Sequence, residues 1–225
     1  MTTPENLAAV RERVAAAAER SGRSSNDVLV VAVSKSFPVE ALAAALDAGV
    51  KVLGENRAQE LVAKASRLGE GVRWHFIGHL QTNKVRSVVG VAELIHSVDR
   101  SSVAEAIAAR ALSLGIVQDV LVEVNAAGDP SKHGVVPVDA PALVEEVAGL
   151  EGVRLRGLMT MPPWPERAED SRPHYRSLAR LSEAIADRAS LGPELSMGMT
   201  RDFEVAIEEG ATIVRIGEAI FGPRG

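Results

Sequence analysis

An eightfold alternation of short apolar runs and amphipathic helical stretches predicts an α/β fold, a single (β/α)8 TIM barrel over residues 1–225 with an additional N-terminal helix. Three observations carry this. The apolar runs are short and nearly continuous, as in parallel strands buried on both faces. Each but the last is followed by an amphipathic stretch, several of them alanine-rich, that suits a crossover helix. The alternation occurs eight times, which suits a closed barrel better than an open sheet.

The elements follow in order. Thr3 can cap the first helix, Pro4 suits its first turn, and Leu7, Val10 and Val14 fall on one face. The expected strands are residues 28–33 (VLVVAV), 51–54, 73–77, 94–97, 120–124, 154–158, 195–197 and 212–216, the seventh being the shortest. The expected helices between them are residues 39–48, 57–67, 82–88, 101–114, 140–148, 175–189 and 201–209. Little chain follows the last strand, so the N-terminal helix must cover that side. The longest irregular stretches, 125–141 and 159–173, each follow a strand and would sit at the barrel mouth.

Composition narrows the function. Net charge is −5 with acids and bases interspersed, which argues against a nucleic-acid surface. The absence of cysteine excludes disulfides, thiolate metal sites and cysteine nucleophiles. No apolar run approaches the ~20 residues of a membrane span. The N-terminus, with charges among its alanines, is unlike a signal peptide. A cytoplasmic protein is expected.

In such barrels chemistry gathers at the C-terminal ends of the strands. That places Lys35, Asn56, His79, Met159 and Thr160, Ser196 to Thr200 (Met199 among them) and Gly217 at one mouth. A lysine closing a strand ordinarily snorkels to solvent. Lys35 instead ends a fully apolar run, between Ser34 and Ser36 and before Pro38. A lysine in a semi-apolar mouth near another cation loses proton affinity and becomes a nucleophile toward aldehydes. Arg215 and Gly217, two apart on the last strand, can both point inward. Arg215 suits an aromatic nitrogen or an anion, and Gly217 lets backbone N–H groups approach an anion. Ser196, Gly198 and Thr200 before a helix suit a phosphate, although helix capping accounts for part of the pattern. The five histidines show no metal-ligand spacing, and no metal site is expected. Glu55 and Asp202 read as helix-start charges.

Together the segments VAVSKSFP, LGENRAQE, WHFIGHLQTNK, HSVDR, VEVN, SKHG, GLMTMPP and LSMGMTRDFEVAIEEGATIVRIGEAIFG resemble, in order and over essentially the whole chain, the pyridoxal phosphate homeostasis proteins of the YggS/PROSC type. These are relatives of the barrel half of alanine racemase. The resemblance implies that Lys35 holds pyridoxal 5′-phosphate as a Schiff base. It also implies that Asn56 lies beside the cofactor ring and that Arg215 faces the pyridine nitrogen. Ser196, Thr200, Gly217 and the backbone N–H of Glu218 would cradle the phosphate. His79, Met159 and Met199 complete the expected cofactor-binding set. Ser36, Phe37 and Arg57 depart from residues common in the family.

The implied function is reversible holding and delivery of the cofactor, without catalysis, by a monomer whose recipients are apo pyridoxal phosphate enzymes. A racemase-like enzyme is the alternative. It is poorly supported, because the only tyrosine, Tyr175, sits in a helix after a long loop and no second base is evident. A barrel using Lys35 as an aldolase-like nucleophile would keep the same residues without the cofactor.

Overall fold

The computed structural model describes residues 2–186 and 191–223. Eight parallel strands close in chain order: β1 (Leu29–Val33), β2 (Val52–Glu55), β3 (Arg73–Phe76), β4 (Leu94–Val98), β5 (Gln118–Glu123), β6 (Val153–Met159), β7 (Glu194–Ser196) and β8 (Ile213–Ile216). This is the expected (β/α)8 barrel. Each expected strand forms, with ends within two residues of those read from the apolar runs.

The helices are α1 (Thr3–Arg20), α2 (Val39–Asp47), α3 (Ala58–Leu68), α4 (Val85–Val88), α5 (Ser101–Leu114), α6 (Ala140–Ala148), α7 (Arg172–Ile185), α8 (Phe203–Glu208) and α9 (Glu218–Phe221). The expected 82–88 helix splits into a 3₁₀ turn, Thr82–Lys84, and α4. The expected 175–189 helix starts earlier, at Arg172, because proline suits a first helical turn and Pro173 falls there. Its expected last residues, 187–189, lie outside the described residues.

α1 covers the seam where β8 meets β1. Its cap forms one residue earlier than Thr3, where the Thr2 N–H donates to Glu5 Oε2 at 2.7 Å. Leu7, Val10, Val14, Ala17 and Ala18 are buried. On the flanks Asn6 Nδ2 donates to the Ile220 carbonyl at 3.1 Å, and Arg13 and Arg20 pair with Glu204 and Glu208. Burial of each large side chain contributes about 1.5–3 kcal/mol, so the apolar face outweighs the exposed ion pairs.

The barrel interior has three levels. Val31, Val52, Leu94, Leu121, Met159 and Ile213 form an apolar plug. Toward the C-terminal ends lie the buried polar groups Glu123, Ser196 and Arg215. At the N-terminal ends a cavity of about 550 Å³ is lined by Leu29, His75, Leu94, Asp119 and Ile213 among others. Across the seam Val31 is in register with Arg215, which places that residue beside the strand that leads to Lys35.

If α1 seals the seam, Leu7→Ala should lower the urea-unfolding free energy by about 2–5 kcal/mol. Val138→Ala, on a residue 84% exposed, should change it by less than about 0.5 kcal/mol. Equal small effects at both positions would contradict that role.

Candidate functional site at the barrel mouth

Lys35 and Ser36 are the central residues of a turn closed by the Phe37 N–H donating to the Ser34 carbonyl at 3.1 Å. Ser36 has φ of 67°, in the left-handed region that non-glycine residues avoid. Such strain persists only where its surroundings over-determine it. Here they do. Lys64, buried behind the turn, donates to the Ser34 carbonyl at 2.9 Å, to Glu55 Oε1 at 2.6 Å and to Glu60 Oε2 at 3.1 Å. Glu60 Oε2 also accepts from the Ser36 N–H at 3.1 Å, and Ser34 Oγ donates to Glu55 Oε1 at 2.7 Å. Burial raises the Glu55 carboxyl above its usual range even with Lys64 against it. Glu55, expected to be a helix-start charge, is instead a sealed partner of this network.

On the other side of the seam Arg215 is buried. Its Nη1 donates to Ser196 Oγ at 2.5 Å and its Nη2 to the Thr160 carbonyl at 2.9 Å. Among the described residues no carboxylate forms an ion pair with it. Ser196 Oγ lies 2.9 Å from His96 Nδ1, and His96 Nε2 lies 2.9 Å from His75 Nδ1. A chain of polar groups therefore runs from Arg215 through the barrel to His75, at the lower cavity. Arginine can only donate, so Ser196 accepts from it and keeps one proton to give. Burial, with His75 and Arg215 as neighbours, holds His96 well below the usual imidazole range. Burial lowers His75 to about 4. Both rings are neutral at neutral pH.

The turn after β7 completes this wall. Gly198 has φ of +92°, and a Cβ there would fall 2.5 Å from Ala206 Cβ. Asp202 is not a solvated helix-start charge. It is buried, and it accepts from the Met199 N–H at 2.8 Å and from Ser171 and Tyr175 hydroxyls at 2.7 Å each. Burial and the Asp202 charge push the Tyr175 hydroxyl well above its usual value. The backbone N–H groups of Thr200, Arg201, Glu218 and Ala219 donate to no acceptor among the described residues.

The expected set is distributed as follows. Lys35, Asn56, Met199, Thr200 and Gly217 are half-buried at strand ends around the mouth, and the Glu218 side chain is exposed. Met159 packs into the apolar plug. The Ser196 hydroxyl points at Arg215 and His96 rather than at the turn containing Thr200. His79 stacks on His133, with ring centroids 3.8 Å apart, and its Nδ1 lies 3.2 Å from Asp99 Oδ2. The sequence reading missed Glu123, a buried carboxyl at the end of β5, raised to about 7 by burial and the Asp99 charge. Its signal was an acid interrupting an apolar strand.

Comparison with known proteins follows from this geometry. Residues 6–225 match the family model described as alanine racemase, N-terminal domain. A pyridoxal phosphate homeostasis protein of Aquifex aeolicus is 47% identical over 226 residues, covering 100% of this chain and 99% of that one. The protein of the same name from Escherichia coli K12 is 40% identical, covering 97% and 95%. The structure of PipY from Synechococcus elongatus PCC7942 with PLP bound superposes with a TM-score of 0.86 at 32% identity, over 98% of this chain and 100% of that one. An alanine racemase of Clostridium difficile 630 shares the fold, with a TM-score of 0.77 at 16% identity; the match covers 97% of this chain and 56% of that one.

The neutral histidines make stability depend on pH. The value for His75 is lower in the folded chain than the ordinary 6.5, and His96 is shifted the same way. The unfolded chain therefore binds more protons, and stability is lost as pH falls from 6.5 toward 4, by roughly 3 kcal/mol for His75 alone. Glu123, raised from 4.5 to about 7, acts in the opposite sense, losing stability as pH rises through that window. Comparing urea unfolding of His75→Gln with the parent at stepped pH cancels the Glu123 contribution. The variant should show the flatter acid limb; an unchanged limb would mean that His75 is not held neutral.

Proposed function

The chain belongs to the family of pyridoxal phosphate homeostasis proteins, and we propose that it holds pyridoxal 5′-phosphate reversibly at the barrel mouth as part of vitamin B6 homeostasis. The observation that carries this reading is the donor set. A lysine on an over-determined turn, a buried arginine and two turns whose backbone N–H groups donate to no acceptor among the described residues lie at the C-terminal end of one barrel. These suit an aldehyde, a ring nitrogen and a phosphate in turn.

In this reading Lys35 holds the aldehyde covalently and Asn56 lies beside the ring. Arg215 donates to the pyridine nitrogen, held in place by Ser196 and the Thr160 carbonyl. Thr200, Gly217 and the Glu218 N–H hold the phosphate, with Met199 in the same turn, Met159 beneath and His79 at the rim. When bound, the cofactor supplies an electrophilic aldehyde on an electron-withdrawing ring. A cation opposite the nitrogen disfavours protonating it, which weakens the ring as an electron sink and suits a carrier rather than a catalyst. Delivery to apo pyridoxal phosphate enzymes by a cytoplasmic monomer completes the proposal.

One observation favours the enzyme alternative. Glu123 is a buried carboxyl raised to about 7 on β5, which lies across the closed barrel from β1 and Lys35. It could serve as a second acid–base group in a racemase-like reaction. Tyr175 could not, since its hydroxyl is committed to Asp202. Exchange of the alanine α-proton in deuterated water, followed by NMR, separates the readings; brisk exchange would favour the enzyme.

Borohydride treatment of the yellow protein should fix the cofactor on Lys35, as read by peptide mapping. Thr200→Ala should weaken retention by about 10- to 150-fold, the worth of one charge-assisted hydrogen bond. Pyridoxal without its phosphate should bind poorly. An adduct on Lys64 or Lys132, or equal affinity for the two aldehydes, would overturn the assignment.

A further inference from the structure

Three loops at the barrel mouth bring together residues that are far apart in sequence: His79 after β3, Asp99 after β4 and His133 in the long loop after β5. Each offers one ligand atom, and all three atoms lie within 4.8 Å of one another. Local sequence carries no sign of this grouping, because no two of the ligands share a helix or a short motif.

The cluster has an ordinary explanation, a stacked histidine pair beside an aspartate. Two observations go beyond it. Among the described residues His79 Nδ1 is shielded from solvent and makes no well-aligned hydrogen bond, although Asp99 Oδ2 is 3.2 Å away. A shielded imidazole nitrogen that faces a carboxylate without an aligned hydrogen bond is poorly satisfied as it stands. In addition, Asp99 is divided between two tasks. Its Oδ1 accepts from Arg100 Nη1 at 2.5 Å, which fixes the carboxylate and leaves Oδ2 turned toward His79.

The third residue is also positioned by the fold. The Asn125 N–H donates to the Val135 carbonyl and the Val135 N–H to the Glu123 carbonyl, each at 2.9 Å, so the loop returns to the end of β5. Asn125 Nδ2 donates to the Asp129 carbonyl at 2.8 Å, and the Ser131 N–H to Asp129 Oδ1 at 2.9 Å. His133 projects from this braced return and stacks on His79.

We propose that His79, Asp99 and His133 form a binding site for a borderline divalent transition-metal ion such as Zn²⁺, Co²⁺ or Ni²⁺. Two imidazoles and one carboxylate suit these ions; Mg²⁺ and Ca²⁺ demand more oxygen ligands. Ligand bonds of about 2.0–2.2 Å place three donors roughly 3–3.5 Å apart, so the triangle contracts on binding. His133 is exposed and supplies that movement, swinging out of its stack on His79 so that both in-plane lone pairs turn to one ion, while Asp99 stays fixed by Arg100. Three protein ligands leave a fourth position for water or for a donor atom of a small molecule at the mouth. The site does not depend on the cofactor reading.

The test uses the untagged full-length chain, stripped with a chelator and titrated with ZnCl₂ by calorimetry and with CoCl₂ by visible absorption. One ion per chain is expected, with Co²⁺ bands of a low-coordinate site and affinity falling as the imidazoles are protonated. His133→Ala and Asp99→Asn should each weaken binding by about 10- to 100-fold or more, since even outer groups of such sites are worth that much. His174→Ala should bind as the parent does. Asp99→Asn also removes the charge paired with Arg100, whereas His133 lies on an exposed loop, so its variant decides the matter. Absence of saturable binding, or parent-like affinity in His133→Ala, would overturn the proposal.

Discussion

A guanidinium sealed inside the barrel, with no carboxylate paired to it among the described residues, is the constraint on which the mouth depends. Removing such a charge from water costs several kcal/mol even after relaxation. Among the described residues Arg215 hydrogen-bonds to neutral acceptors, Ser196 Oγ and the Thr160 carbonyl, with Glu123 and Asp202 acting at longer range. Its neighbours follow from that. Ser196 must accept, and His96, bonded to that serine, is held neutral by burial with the guanidinium as a neighbour. A fold that keeps an under-compensated cation at its mouth is prepared for an electron-pair donor or an anion.

A second buried cation, Lys64, shapes the opposite wall of the seam. It ties Glu55 and Glu60 to the turn that carries Lys35 and holds Ser36 in its unfavourable conformation. The two cations act through different chemistry. Lys64 is matched by carboxylates and fixes backbone; Arg215, among the described residues, is held by neutral acceptors. The register that pairs Val31 with Arg215 places the two devices side by side.

The fold was largely legible in the sequence because parallel strands buried on both faces read as apolar runs, such as VLVVAV before Lys35. α9 was not, since four residues after the last strand carry no periodic signal. Mouth positions were legible as strand ends, but side-chain direction was not. Ser196 turned inward to Arg215, and Met159 joined the apolar plug. Glu55 and Asp202 looked like helix-start charges because burial and partners from distant loops leave no mark on local sequence. The same reason hid the histidine pairs, which only barrel closure brings together.

The most direct test of the role given to Arg215 is the ¹⁵N chemical shift of the ring nitrogen in labelled pyridoxal 5′-phosphate bound to the protein at neutral pH. A guanidinium donating to that nitrogen requires the shift of an unprotonated pyridine, moving when Arg215 is replaced by Glu. A protonated pyridinium in the parent protein would contradict it.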